Sequence, residues 1–146
     1  MATTFRCRLI TPDAQVFDDP ATAAVLPVWD GQMGFLPMRS AFVGEMGVGE
    51  LRVDFPDRGN AKGGSRSFFV ADGFVQMLNN ELTILAAHAV AAENLTESDA
   101  QAELADATRK ADQNLKGPAG EKAIARKRRA EAKLAVARKF RASGAI

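Results

Sequence analysis

The sequence predicts a β + α chain: an N-terminal antiparallel β-sandwich over residues 1–90, then a C-terminal antiparallel α-helical hairpin over residues 91–146. Three observations carry this. Residues 1–94 hold nine of the twelve glycines, five of the six prolines and eight of the nine phenylalanines. Within them, short runs of alternating apolar and polar residues recur between turn residues, the mark of half-buried strands. Residues 95–146 are instead rich in Ala, Lys, Arg and Glu, which are good helix formers, with apolar residues at three- and four-residue spacing.

The elements follow in order. Phe5 to Ile10 alternates and stops at Thr11-Pro12-Asp13. Gln15-Val16-Phe17 reads as a short strand ended by Asp18-Asp19-Pro20. Ala21 to Val28 is apolar, and Pro27 predicts that it ends there or lies at an edge. Gly31 and Gly34 bracket a turn before Phe35, and Gly49 to Phe55 alternates cleanly. A polar, Gly-rich loop spans 56–65. Ser67–Ala71 and Phe74–Leu78 are separated by Asp72-Gly73, a hairpin signal. Asn79-Asn80 reads as a second tight turn, leading into Thr83–Ala87. The boundary between the parts falls around Ala91 to Leu95. Thr96-Glu97-Ser98-Asp99 fits a helix cap. Ala100, Leu104, Ala107, Ala111 and Leu115 form one helical stripe, which 116–120 should end. A second helix opens at Glu121, carries Ala123, Ala130, Leu134 and Ala137 on a narrow face, and closes at Ser143-Gly144. Stripes made largely of Ala bury little area at ~25 cal/mol per Å², so the hairpin is expected to be weakly held.

Composition narrows the chemistry. The single Cys7 cannot form an internal disulfide, and the single His88 leaves neither a His/Cys metal site nor a Cys–His pair. Cys7 reads as a small buried hydrophobe, His88 as a side chain at a strand end, and Asp18-Asp19 as turn acids. Gly31-Gln32-Met33-Gly34 lacks the lysine and helix of a phosphate loop. No catalytic residue, metal or cofactor is expected. No apolar run reaches the ~20 residues that span a bilayer, and the first residues read as neither signal nor transit peptide.

Charge is the outstanding feature. Residues 1–94 carry seven basic and eleven acidic residues, a net of −4; residues 95–146 carry a net of +5. Within 121–141, nine Lys/Arg stand against Glu121 and Glu131. Like-charge pairs at i,i+4, such as Lys122/Arg126 and Arg129/Lys133, oppose the helix. A complementary acidic surface would relieve them: an acidic protein segment, nucleic acid or anionic lipid.

The order of these signals resembles the epsilon subunit of F-type ATP synthases. Leu9-Ile10-Thr11-Pro12-Asp13 with Val16-Phe17 is similar to that family's VTPE…VF segment. Val25-Leu26-Pro27 followed by Asp30 through Pro37 is similar to its LPGSEGEFGVLPGH signature. Gly73–Met77 and Leu82–Ala86 are similar to its GGFVEV…VTVLAD pair. The resemblance covers essentially the whole chain. It implies a non-catalytic rotor subunit that couples proton translocation through the c-ring to ATP synthesis and hydrolysis. The implied partners are the gamma subunit, the c-ring and the alpha/beta catalytic head, with no nucleic acid and membrane contact only through the complex. The implied location is the cytoplasmic face of a bacterial inner membrane, with a plastid thylakoid as alternative.

By position, the resemblance assigns Gln32, Met33 and Arg39 to c-ring contact. It assigns the cationic helix, with Arg126, Arg129 and Lys133, to acidic segments of the catalytic subunits, where it could slow hydrolysis. The sequence departs from the pattern at Gln32, where the family has an acid, and at Met38-Arg39, where it has Gly-His. Many bacterial relatives bind ATP through an [IL]DxxRA segment. Here Thr96 stands for its Asp and Asp99 for its Arg, an acid where a phosphate-facing cation belongs, so tight ATP binding is not expected.

Overall fold

A computed structural model describes residues 3–28, 31–57, 63–113 and 116–142, with the side chains of Arg141 and Ala142 outside that description. Two compact units result, Met1–Ala89 and Val90–Ile146.

The first unit is built from eight strands: β1 (Phe5–Ile10), β2 (Gln15–Ala21), β3 (Ala23–Val28), β4 (Gly31–Phe35), β5 (Phe42–Met46), β6 (Gly49–Phe55), β7 (Gly64–Leu78) and β8 (Glu81–Ala91). They pair in the order β2-β1-β8-β7-β5-β3-β4, with β6 paired to both β3 and β7. The alternation read from the sequence sets the faces: Phe5, Cys7 and Leu9 of β1 are buried, while Arg6 and Arg8 point out. β5 and β6 lie end to end along β7, which pairs β6 through 64–70 and β5 through 73–77. The paired strands form a sandwich. Phe17, on edge strand β2, closes it by stacking on Phe68 at 5.5 Å and meeting Phe55 edge-on at 5.8 Å. Phe5, Phe35, Phe68, Leu9, Leu26 and Leu82 fill the core.

Several local expectations change. β1 and β8 pair in parallel, so the otherwise antiparallel ladders have one exception. β2 does not stop at Asp18 but runs through Pro20 to Ala21. Its edge position tolerates a residue without an N–H, and the Asp18 carboxylate receives two hydrogen bonds from Arg6, at 2.9 and 2.7 Å. Asp18 is thus a strand acid rather than a turn acid, and those bonds hold its carboxyl below the usual range. Pro27 lies inside β3 and away from any edge, where β3 leaves β6 and meets β5 and a ladder donor is not needed. Residues 31–34 form strand β4 rather than a turn, with Leu26 opposite Met33. Asp72-Gly73 is not a hairpin: β7 runs straight through it, and Asp72 takes a φ of 58° as the strand changes partners. His88 lies within β8 and is exposed there. Asn79-Asn80 does turn the chain, with φ of 52° and 61°, as a type I′ hairpin requires. Cys7 is fully buried, and burial pushes its thiol up to about 12.

In the second unit a single 3-10 turn, Ala92–Asn94, precedes α1 (Glu97–Ala111) and α2 (Gly117–Ala142). The Thr96 hydroxyl accepts from the Asp99 N–H, capping α1 as its sequence indicated. α2 starts four residues earlier than expected. Pro118 occupies its first turn, where a missing N–H costs nothing, and Gly117 takes a φ of 70° before it. Ala100 and Ala107 of α1 and Ala130, Leu134, Val136 and Ala137 of α2 are buried. Leu104 and Ala111 are half-buried. Trp29, the loop residues 58–62, Leu115 and the Ser143-Gly144 stop lie outside the described residues.

Candidate functional site

Two surfaces hold the residues singled out in the sequence. The first is the stretch from β4 to β5. Alternation along β4 sends Met33 and Phe35 to one face and Gln32 to the other. Arg39 crosses the loop to rest its guanidinium 4.8 Å from the Phe35 ring centroid and 5.4 Å from that of Phe42. Its Nη2 lies 3.7 Å from the Met33 sulfur. The structure therefore brings Met33 and Arg39 together, while Gln32 stands exposed on the opposite face. The cation–aromatic contacts favour this position of the Arg39 head over the two rings.

Sequence reasoning missed the loop's tip. Leu36 and Met38 are 62% and 75% exposed. Met38 has a φ of 63°, uncommon for a residue with a long side chain. Its N–H donates to Asn80 Oδ1 at 2.8 Å, and Asn80 Nδ2 donates to the Thr4 carbonyl at 2.9 Å. The Asn79-Asn80 turn thus anchors a loop that presents two large apolar side chains to water. Nothing local in Leu36-Pro37-Met38 signals this, because the anchor lies more than forty residues away.

A second apolar area lies on the outer side of the same unit. Ile10, Pro12, Phe74 and Leu85 line an open groove of about 600 Å³, with Glu45 and Asp72 beside them. Ile10 and Leu85 are opposite one another in the parallel β1–β8 ladder. Phe74 is 60% exposed.

The second surface is the helical hairpin. The cations of α2 were expected to need an external acid, but α1 supplies acids to several of them. Arg126 donates to Asp106 at 2.9 Å, Lys133 to Glu103 at 3.1 Å and Arg138 to Glu97 at 3.1 Å. Positions advance along α2 as they retreat along α1, as antiparallel packing requires. Asp106 also receives Arg109 at 2.6 Å and has Lys110 at 3.6 Å. Arg126, Arg129 and Lys133 are all half-buried. Arg126 and Lys133 are turned toward α1, so any outside acid must compete with Asp106 and Glu103. Glu97, Glu103 and Asp106 were legible only as acids on a helix, since their partners depend on the hairpin's register.

The bonds from Arg109 and Arg126 hold the Asp106 carboxyl down at about 2, against 3.8 for a free one. A carboxyl lowered in the folded state stabilises the hairpin above its unfolded value and loses that contribution as pH falls through the folded one. The hairpin is therefore expected to weaken between about pH 4 and pH 2. Asp106→Asn should flatten that part of the profile when helix content is followed against urea at each pH.

A sandwich body carrying a two-helix arm, with apolar surface left open on the body and ion pairs between the helices, defines a protein built for contacts with other chains. No group of acidic, His or Cys side chains suited to a metal occurs among the described residues. The family model for the ATP synthase delta/epsilon chain beta-sandwich domain matches residues 4–92. The ATP synthase epsilon chain of Thioalkalivibrio sulfidiphilus is 31% identical over 115 residues, covering 79% of this chain and 76% of the relative. That of Parasynechococcus marenigrum is 32% identical over 131 residues, covering 90% and 89%. The chain belongs to the ATP synthase epsilon chain family, and is accordingly an accessory subunit and not a catalytic one. A solved chain of the Euglena gracilis mitochondrial ATP synthase, in an OSCP/F1/c-ring structure, shares the fold at a TM-score of 0.76 and 18% identity, over 91% of this chain and 81% of that one. No helix among the described residues is long and apolar enough to cross a membrane.

Proposed function

We propose that this chain is a central-stalk subunit of an F-type ATP synthase, coupling proton translocation through the c-ring to ATP synthesis and hydrolysis in the alpha/beta head. Family membership supports the assignment. The observation that carries it on this chain is the exposed tip at Leu36 and Met38, tied at the Met38 N–H to Asn80. An exposed apolar projection is costly to leave in water and is suited to burial against another subunit. We assign this loop, with Gln32, Met33 and Arg39, to the c-ring. The groove at Phe74 and Leu85 is assigned to the gamma subunit, because open apolar area of that kind calls for a covering partner. Arg126, Arg129 and Lys133 are assigned to acidic segments of the head. The location that follows is peripheral, on the cytoplasmic face of a bacterial inner membrane.

The sandwich suits a rotor part. Its strands are paired on both sides except at β2 and β4, so torque meets a hydrogen-bonded sheet rather than loops. The test is co-purification of the chain with gamma and the c-ring after co-expression. Wild type should be recovered in the complex. Leu36→Ser with Met38→Ser should lower its recovery on the c-ring about tenfold, by removing part of the transfer free energy of two large apolar side chains. A chain that does not associate with gamma ends the proposal. Full c-ring recovery by the double variant removes the loop assignment.

A further inference from the structure

We propose that the turn end of the helical hairpin is a binding site for a free multivalent oxyanion, a phosphate or pyrophosphate group. Lys110 and Gln113 of α1 and Lys122 and Arg126 of α2 line a cavity of about 360 Å³, floored by Ala119 and Ala123. No acidic side chain lines it among the described residues. Lys110 and Arg126 share the Asp106 carboxylate, which Arg109 also engages, and so compete for one acid.

Arg126 supplies an independent sign. Its Nη2 is held by Asp106 at 2.9 Å, but its Nη1 is enclosed and has no hydrogen-bond partner among the described residues. A buried guanidinium donor without an acceptor is costly, and native structures seldom leave one so. An oxyanion in the adjoining cavity would supply the acceptor after a small rotation of the guanidinium about its Asp106 contact. Lys122, one turn before Arg126 on α2, opposes it in the absence of an anion and joins it when one is bound. The first turn of α2, from Gly117, adds the positive end of the helix dipole on the same side. Ala119 and Ala123 keep the cavity open because their side chains are too short to fill it.

The expected ligand is small and highly charged. Among the described residues the lining offers three cations and one amide, with no aromatic face for a base. The site should therefore recognise the phosphates of a ligand and gain nothing from a nucleoside.

Isothermal titration of the full chain with inorganic pyrophosphate at low salt tests this. Saturable binding of one equivalent is expected, weakening as salt rises. Lys110→Gln with Lys122→Gln should lower the affinity about tenfold, through loss of two partly exposed charge-assisted contacts. Arg128→Gln removes a cation that does not line the cavity and should leave the affinity within about twofold. ATP should bind no tighter than tripolyphosphate. Equal losses in the two variants, or heats that never saturate, would mean diffuse attraction to a cationic helix and overturn the site. Tighter binding of ATP than of tripolyphosphate would overturn the phosphate-only assignment. Binding to phosphatidylglycerol vesicles without saturable pyrophosphate binding would overturn the assignment to a free ligand. Helix content by circular dichroism, unchanged in the Lys variants, separates lost binding from lost structure.

Discussion

Gly73→Ala is expected to lower the stability of the sandwich by about 3 kcal/mol or more, at the upper end of what one added methyl costs in a packed protein. A Cβ at Gly73 would stand 1.8 Å from the Leu85 carbonyl oxygen and 2.8 Å from its carbon. Both atoms belong to the backbone of β8, so no side chain can rotate away. β7 and β8 must separate locally, or β7 must twist out of its ladder with β5 at Met46. For a body of this size, the change corresponds to a melting temperature lower by roughly 10 °C or more. Urea unfolding of the two proteins checks it, with Gly34→Ala as the control. A Cβ at Gly34 has nothing within 4 Å, so that variant should stay within about 0.5 kcal/mol of wild type. If Gly73→Ala unfolds with the wild-type midpoint, the close approach of β7 to β8 is wrong.

The same glycine shows where sequence reading stops. Asp72-Gly73 between two apolar runs has the residues of a tight hairpin, and locally nothing contradicts that. The glycine is there because another strand passes against it, which depends on Leu85, twelve residues on. Gly117-Pro118 is ambiguous in the same way, since the pair that ends one helix also serves to begin the next. Asp18-Asp19-Pro20 has turn residues, yet Arg6 on the neighbouring strand turns Asp18 into a ladder partner. What was legible depended on periodicity sustained within one element. The faces of β1 and β6, the Asn79-Asn80 turn, the Thr96 cap and the stripes of α1 and α2 are all set by residues near one another in the chain.

The candidate surfaces divide along the same line. The cations of α2 could be counted from the sequence, but their acids on α1 could not be paired without the hairpin's register. Leu36 and Met38 could not be told from core residues, because their exposure depends on Asn80. Arg39 could be placed by position in the family signature, but not its contacts with Phe35, Phe42 and Met33.

The ion pairs between the helices make a second large effect expected, in the activity of the assembled enzyme. Glu97→Gln, Glu103→Gln and Asp106→Asn together remove the α1 partners of Arg138, Lys133 and Arg126. Each partly exposed pair is weak alone, but the three act on one opening equilibrium, and the hairpin's buried core, four Ala with Leu134 and Val136, is small. The open arm should then be populated about tenfold more, as three modest pairs are lost together. If the arm slows hydrolysis by reaching acids of the catalytic head, ATP hydrolysis by the reconstituted enzyme should fall about threefold to tenfold. High salt should shrink the difference by screening the arm from those acids. Removing residues 95–146 should instead release hydrolysis to its highest rate while the sandwich stays bound to gamma. The triple variant and the truncation thus move activity in opposite directions. A purely structural hairpin predicts that both lower assembly and neither raises the rate, so the direction of the truncation effect decides between the two.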